Sequence, residues 1–429
     1  MWSQIASAAI FIICLWLIFS ERLNRTIVGI TGAMAVLILG KLQGFYTESQ
    51  AIQAVDFNTL GLLFGMMVLI ALLEPTGFFQ YLAVWTGKLS RGKPVRLLVL
   101  MGAITTVLSM FLDNVTTVVL IAPITILICE ILGIQPAPYL MAEAILSNTG
   151  GVSTLVGDPP NVIIASAAGF TFNDFLIHAL PVVLVAWIMV VFTLRYLFRR
   201  ELSAQPKNIE ALLLLNPVES LEDWRAARRV LVVLGGAILL FFLQGVLDVS
   251  PAFIALCAAT VALLWVQPDI RELLKRIEWS ILLFFGALFV MVGALEASGA
   301  LNIVVSTLTQ IIHIPPMWFG VILIWIVSIL SAVVDNIPIT VAMIPVIQGL
   351  ETHGINITPL WWALAFGAGF GGNGTLIGST ANIIVATLSE KTRTPITAQF
   401  WNQRGLPVMI VSCSVASIMF VMIYPLLSQ

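Results

Sequence analysis

The chain writes one long pattern twice. "FLDNVTTVVLIAP" fills residues 111–123 and "VVDNIPITVAMIP" fills 333–345, each setting Asp beside Asn inside an apolar run. Asp56, Glu74, Gly77, Asp113, Asn114 and Pro123 recur as Glu278, Glu296, Gly299, Asp335, Asn336 and Pro345, all at one offset of 222. After one deletion the offset becomes 221, so that "GGVSTLVGDPPNVIIAS" from Gly150 matches "GGNGTLIGSTANIIVAT" from Gly371. A repeat of this length makes the chain two copies of one unit. The expected division is 1–198 for the first repeat, 199–229 for a polar cytoplasmic linker and 230–429 for the second.

What such a unit folds into follows from how apolar it is. With 59% hydrophobic residues, 10% charged residues and a mean hydropathy of +1.04, the chain exposes more apolar surface than a soluble domain could cover. Runs near 4–20, 27–43, 57–73, 175–198, 230–246, 252–268, 279–297 and 406–427 each approach the ~17–25 residues a helix needs to cross a bilayer. The first run reads as a span and not a signal peptide, since no Lys or Arg precedes it. Cys14, Cys129, Cys257 and Cys413 stand singly, without the spacing of a disulfide framework or a thiolate metal site. His178, His313 and His353 likewise have no partner at metal-ligand spacing, and no cofactor motif or nucleophile–base pair is present. The net charge of -2 gives no reason to expect a nucleic-acid partner. The expected environment is a cell (inner) membrane, crossed many times.

Basic residues orient the copies, because Lys and Arg concentrate in cytoplasmic loops. Five crossings per copy, with 95–133 forming a pair that returns to the side it left, put 19 of the 20 basic residues on one face and Lys41 alone on the other. That face includes Arg22, Arg25, Lys207, Arg276 and Arg404, and is expected to be cytoplasmic. An odd number of crossings makes the second copy upside down relative to the first. The expected fold is therefore an all-α polytopic membrane protein of two inverted-topology repeats, about 10 transmembrane helices, two re-entrant hairpins and two broken helices.

The polar interruptions suggest where solute or ion would bind. "SNTGGVSTLVGDPPN" (147–161) breaks a run too long for one straight span, and Asp-Pro-Pro reads as an N-cap with proline at the first helical position, so a half-helix is expected to start near Asp158. "GAGFGGNGTLIGSTAN" (367–382) does the same in copy two. Irregular backbone at membrane depth survives only where protein or a wet cavity satisfies it. Asp113 and Asp335 have two readings: each caps the helix that follows, or each sits at the tip of a hairpin and offers oxygens to an ion, solute or proton. Glu74 and Glu296 close the third helix of each copy, where a structural role is as natural as proton handling. Glu143 has no acidic counterpart in copy two; it could serve a proton or hold a neighbouring backbone donor. The stretch 78–93 reads as an interfacial helix, with aromatics for lipid and Lys/Arg for headgroups.

"FLDNVTTVVLIAPI", "GDPPNVIIAS", "RIEWSILLFFGALFV", "DNIPITVAMIPV" and "LAFGAGFGGNGTLIGSTANIIV" resemble the ArsB/NhaD branch of the ion transporter superfamily, near its pink-eyed-dilution and ArsB-like members, over roughly residues 27–425. The resemblance implies a secondary transporter, not an enzyme, with no cofactor, and a site built from hairpin tips and helix breaks. Carried over, the substrate or ion site comprises Asp113, Asn114, Thr116, Asn148, Thr149, Asp158, Asn161, Asp335, Asn336, Asn373, Thr375, Ser379 and Asn382, with Asp113, Asp335, Asp158 and Glu143 as proton-coupling candidates. Related dicarboxylate/sodium symporters have Ser-Asn-Thr at each tip; here Ser gives way to Asp, and Thr to Val115 and Ile337. Two tip carboxylates plus Asp158, with no Lys or Arg expected at that depth, would repel a dianion. The expected cargo is arsenite or antimonite, exported in exchange for protons and in some relatives with an ATPase subunit. Sodium/proton antiport is the rival, and an organic-anion carrier the weakest alternative.

Overall fold

A computed structural model describes residues 2–19, 23–300, 314–351 and 354–428. His313, His353 and Arg22 lie outside them. The described residues are helical with no strand.

The first half runs α1 (Trp2–Phe19), α2 (Arg25–Gln43), α3 (Glu48–Ala54), α4 (Phe57–Leu73), α5 (Phe78–Leu89), α6 (Pro94–Ser109), α7 (Asn114–Leu132), α8 (Ala137–Gly151), α9 (Pro159–Ala168) and α10 (Leu180–Leu197). After short turns, the second half runs α11 (Trp224–Leu247), α12 (Pro251–Val266), α13 (Ile270–Arg276), α14 (Trp279–Ser298), α15 (Pro316–Val333), α16 (Asn336–Glu351), α17 (Thr358–Gly371), α18 (Thr380–Ser389) and α19 (Ala398–Met422). The sequence offset returns in the elements: α3 and α13 start and end 222 residues apart, and α9 and α18 start and end 221 apart. Eight helices among the described residues are long and apolar enough to cross a bilayer, from Arg25–Gln43 to Ala398–Met422. The chain is a multi-pass integral membrane protein, which in a bacterium places it in the inner membrane.

Local chemistry sets the helix ends. Asn24, Asp56, Asp223 and Ser250 each accept a backbone N–H in the first turn of α2, α4, α11 and α12. Gly77, with φ of 75°, turns the chain between α4 and α5, and a Cβ there would sit 1.9 Å from Ser220 O, where Glu222 N donates to Thr76 O. The stretch expected to lie at the interface forms α5, which packs on α6 and α7, buries Phe79 and Ala83 and leaves Trp85 exposed. It is thus partly a packing element for the hairpin.

The helices pack in two groups that each mix the copies. In one, α2 lies on α14 and α4 on α12, with α1 and α11 outside them. In the other, α6 lies on α8, α15 on α17 and α10 on α19. Each half-helix after a break packs on the hairpin arm of the opposite copy, α9 on α16 and α18 on α7. The start and end of the first pair of arms lie together: Lys207 N donates to Leu132 O at 2.8 Å, and a Cβ on Gly92 would lie 3.0 Å from Ile209 Cγ1 and 3.4 Å from Leu132 Cδ2. Both ends of 92–132 therefore meet the segment between the halves.

Candidate functional site

Each break is held open by one asparagine. Asn161 Nδ2 donates to Gly151 O (3.0 Å) and Thr154 O (2.8 Å); Asn382 Nδ2 donates to Gly372 O (2.8 Å) and Thr375 O (2.9 Å). These carbonyls have lost their helical partners, and a buried carbonyl without a donor is costly. The Thr154 hydroxyl donates to Met110 O and the Thr375 hydroxyl to Ala332 O, tying each break to the first arm of its own hairpin. Glycine lets the two sides of each break meet: a Cβ on Gly157 would lie 2.6 Å from Gly151 O, and one on Gly378 2.8 Å from Gly372 O.

The two breaks are also bonded to each other. Asn148 Nδ2 donates to Asn373 Oδ1 and Asn382 Oδ1, both at 3.1 Å, while the Ser379 hydroxyl donates to Asn148 Oδ1 at 3.0 Å. Asn373 Nδ2 donates to the Thr149 hydroxyl at 3.2 Å. All five side chains are buried. They form the polar centre where the copies join.

The tips differ. Asp113 Oδ1 accepts from Val115 N (2.8 Å) and Thr116 N (3.0 Å), and the Thr116 hydroxyl donates to Oδ2, so this carboxylate caps α7. Asn114 is buried and its Oδ1 accepts the Ser109 hydroxyl. Asp335 Oδ2 instead takes Arg25 Nη1 at 2.6 Å and the Thr380 hydroxyl at 3.2 Å. Asn336 Nδ2 donates to Asp158 Oδ2 at 2.8 Å. Asp158 stands at the N-cap of α9 but makes no side-chain cap: Pro159 and Pro160 offer no N–H, and its carboxylate takes the amide of Asn336 at the opposite tip.

These groups line one cavity of about 60 Å³, walled by Asp113, Asn114, Asp158, Asp335, Asn336 and Ser379, together with Arg25, Glu278 and Thr380. The expectation that no basic residue reaches the tips is corrected: Arg25, assigned by its charge to the cytoplasmic surface, points from the first turn of α2 onto Asp335. Glu278, seen in the sequence only as the repeat partner of Asp56, completes the wall. A neighbouring cavity of about 140 Å³ shares Asp113, Val115 and Glu278 and ends at the Glu74–Arg276 ion pair (2.9 Å). A separate cavity of about 210 Å³ is lined by Ile163, Phe285 and Val341, each one helical turn beyond Pro159, Ile281 and Ile337 of the central cavity.

Of the sequence-derived site, Asp113, Asn114, Asp158, Asp335, Asn336 and Ser379 converge on the cavity. Thr116 supports Asp113, and Asn148, Thr149, Asn161, Asn373, Thr375 and Asn382 support the breaks behind it. Glu143 lies elsewhere: it is fully buried on α8, its Oε1 takes the Thr125 hydroxyl, and its Oε2 has no partner among the described residues. His178 stacks on Trp362 with centroids 5.0 Å apart, a packing contact. Among the described residues, no three His, Cys, Asp or Glu side chains converge at metal-ligand spacing.

Spanning helices broken at their centre, facing polar hairpin tips, define a membrane transporter and not an enzyme. Residues 14–367 match the CitMHS citrate transporter family, and the chain belongs to that family. It is 36% identical over 428 residues to a 46 kDa membrane protein of Mycobacterium leprae, covering 97% of each chain, and 37% identical over 426 residues to an uncharacterized transporter of Mycobacterium tuberculosis, also covering 97% of each. It is 33% identical to the human P protein over 480 residues, which takes in 93% of this chain and 57% of that one. The Alcanivorax borkumensis YdaH transporter has the same fold, with a TM-score of 0.57 at 13% identity, covering 94% of this chain and 99% of that one.

Proposed function

We propose that this protein is a secondary transporter that exchanges a small cation, sodium by preference, for protons. The observation that carries the reading is the charge of the central cavity, where Asp113, Asp158, Glu278 and Asp335 face the single guanidinium of Arg25. An excess of carboxylate in a partly dry site attracts a cation and repels an anion. A free tricarboxylate, the cargo that the family description names, meets four carboxyl groups and one guanidinium in a space of about 60 Å³. Asp113, Asp335 and Asp158 are the proton carriers in this scheme, and Glu143, which lies outside the cavity, is a further candidate. Inverted halves would let the two helix groups move against each other and open the cavity to either side.

Export of arsenite or antimonite against protons is the second reading, with or without an ATPase subunit. It is favoured by the mixture of donors and acceptors at the cavity: the amides of Asn114 and Asn336 and the hydroxyls of Ser379 and Thr380 suit an uncharged trihydroxide. It also keeps the resemblance to the ArsB/NhaD branch. The test is sodium-driven proton movement in proteoliposomes, run beside arsenite uptake into everted vesicles, for the wild type and the Asp113→Asn, Asp335→Asn double variant. Sodium-dependent proton flux that collapses in the double variant is the expected result. Arsenite uptake without sodium-dependent flux would overturn it in favour of metalloid efflux, and normal sodium flux in the double variant would remove the site from the tips.

A further inference from the structure

Arg25 occupies a place that its own helix disfavours. It opens α2, where the unpaired N–H groups already carry partial positive charge, and the first turn has no acidic residue to offset it. What holds it is outside the helix: Asp335 Oδ2 at 2.6 Å, and the ring of Phe284, whose centroid lies 5.8 Å from the guanidinium carbon. Phe284 belongs to α14, which packs on α2. Asp335 belongs to the α15–α16 hairpin, whose arms pack on α17 and on α9. The guanidinium is therefore fixed to one group of helices and bonded to the tip of the other.

The repeat shows that this contact is not part of the common scaffold. Residues 247–253, from the position 222 after Arg25 through the first turn of α12, carry no basic side chain, and the equivalent tip residue, Asp113, spends its carboxylate on its own helix. Of the two tip carboxylates, Asp335 is the one paired with this tethered cation. The pair is half-buried, with side-chain exposures of 31% and 18%. Asp335 is faced by Arg25 of α2, Glu278 at the start of α14, Asp113 of the other tip, Asp158 of the first break and Thr380 of α18. A guanidinium leaving Asp335 still has Glu278 and Phe284 beside it.

We propose that Arg25 is a built-in counter-cation: its guanidinium occupies Asp335 when the site is empty and gives way when a cargo cation arrives. This rests on the cation-exchange reading above. It makes Arg25 a determinant of cargo affinity, holding sodium binding weak enough for release while neutralising the empty tip. Competing ligands of one carboxylate lower each other's affinity reciprocally.

The test is sodium titration of the purified protein by calorimetry. Arg25→Gln should bind sodium about tenfold more tightly than wild type, a coupling in the ordinary range. Arg25→Lys, which keeps the charge, should stay near wild type, and adding Asp335→Asn to Arg25→Gln should abolish the gain. Unchanged or weaker binding by Arg25→Gln would overturn the proposal. If sodium binds none of these proteins, the sodium reading fails, and the pair is judged by thermal unfolding without sodium. Non-additive effects of Arg25→Gln and Asp335→Asn would then leave a structural ion pair, with the counter-cation role overturned along with the sodium reading, and additive effects would overturn the pairing itself.

Discussion

The two breaks and the two tips lie within a few residues of each other in the fold, yet the repeat treats them differently. At the breaks, Asn161 and Asn382 make the same pair of bonds to carbonyls seven and ten residues earlier, and Thr154 and Thr375 make the same bond to the preceding hairpin arm. At the tips the same dipeptide has gone two ways: Asp113 caps its helix, while Asp335 is paired across the molecule with Arg25. An interrupted backbone poses one problem with one economical solution, so both copies keep it. A binding site between two copies is not obliged to be symmetric, and its chemistry has diverged.

The comparison can be broken first at the break asparagines. Asn161→Ala and Asn382→Ala should each destabilise the protein by about 2–4 kcal/mol, because each strands two buried carbonyls. Thermal unfolding in detergent should give equal losses, and a large inequality would end the claim of one shared solution. Gly157→Ala and Gly378→Ala should follow at about 1–3 kcal/mol, as the added methyl meets backbone oxygen in both copies. Smallest is Asp113→Ser, which keeps a capping oxygen and should shift stability by within about 0.5 kcal/mol. Asp335→Ser should cost more in the same assay, since it leaves the Arg25 guanidinium without its carboxylate. Equal tip effects would mean that the asymmetry has no energetic weight.

What could be read in the sequence was whatever depends on neighbours along the chain. The apolar runs near 57–73 and 279–297 became helices Phe57–Leu73 and Trp279–Ser298, and Asp-Pro-Pro marked the start of α9 at Pro159. The roles that escaped depend on partners far away. Arg25 meets Asp335 across 310 residues, and its charge alone assigns it to a cytoplasmic loop. Asp158 has the local signature of a cap but is claimed by Asn336, 178 residues on. A faint signal existed for Arg25: a basic side chain in the first turn of an apolar helix opposes the helix dipole and needs an outside acid. Glu278 gave no such signal, since carboxylates are at home where a helix begins.

The bonds between the breaks also set a timetable. Asn148 is made in the first half of the chain, but Asn373 and Asn382, which accept from its amide, follow 225 and 234 residues later. At a synthesis rate of about 5–20 residues per second, the first break waits roughly 10–50 s inside the membrane before the side chains that complete it exist. During that interval its polar centre must be kept by water or by the insertion machinery. The first half is thus born as an unfinished object, and the quality of the finished transporter is decided late in translation.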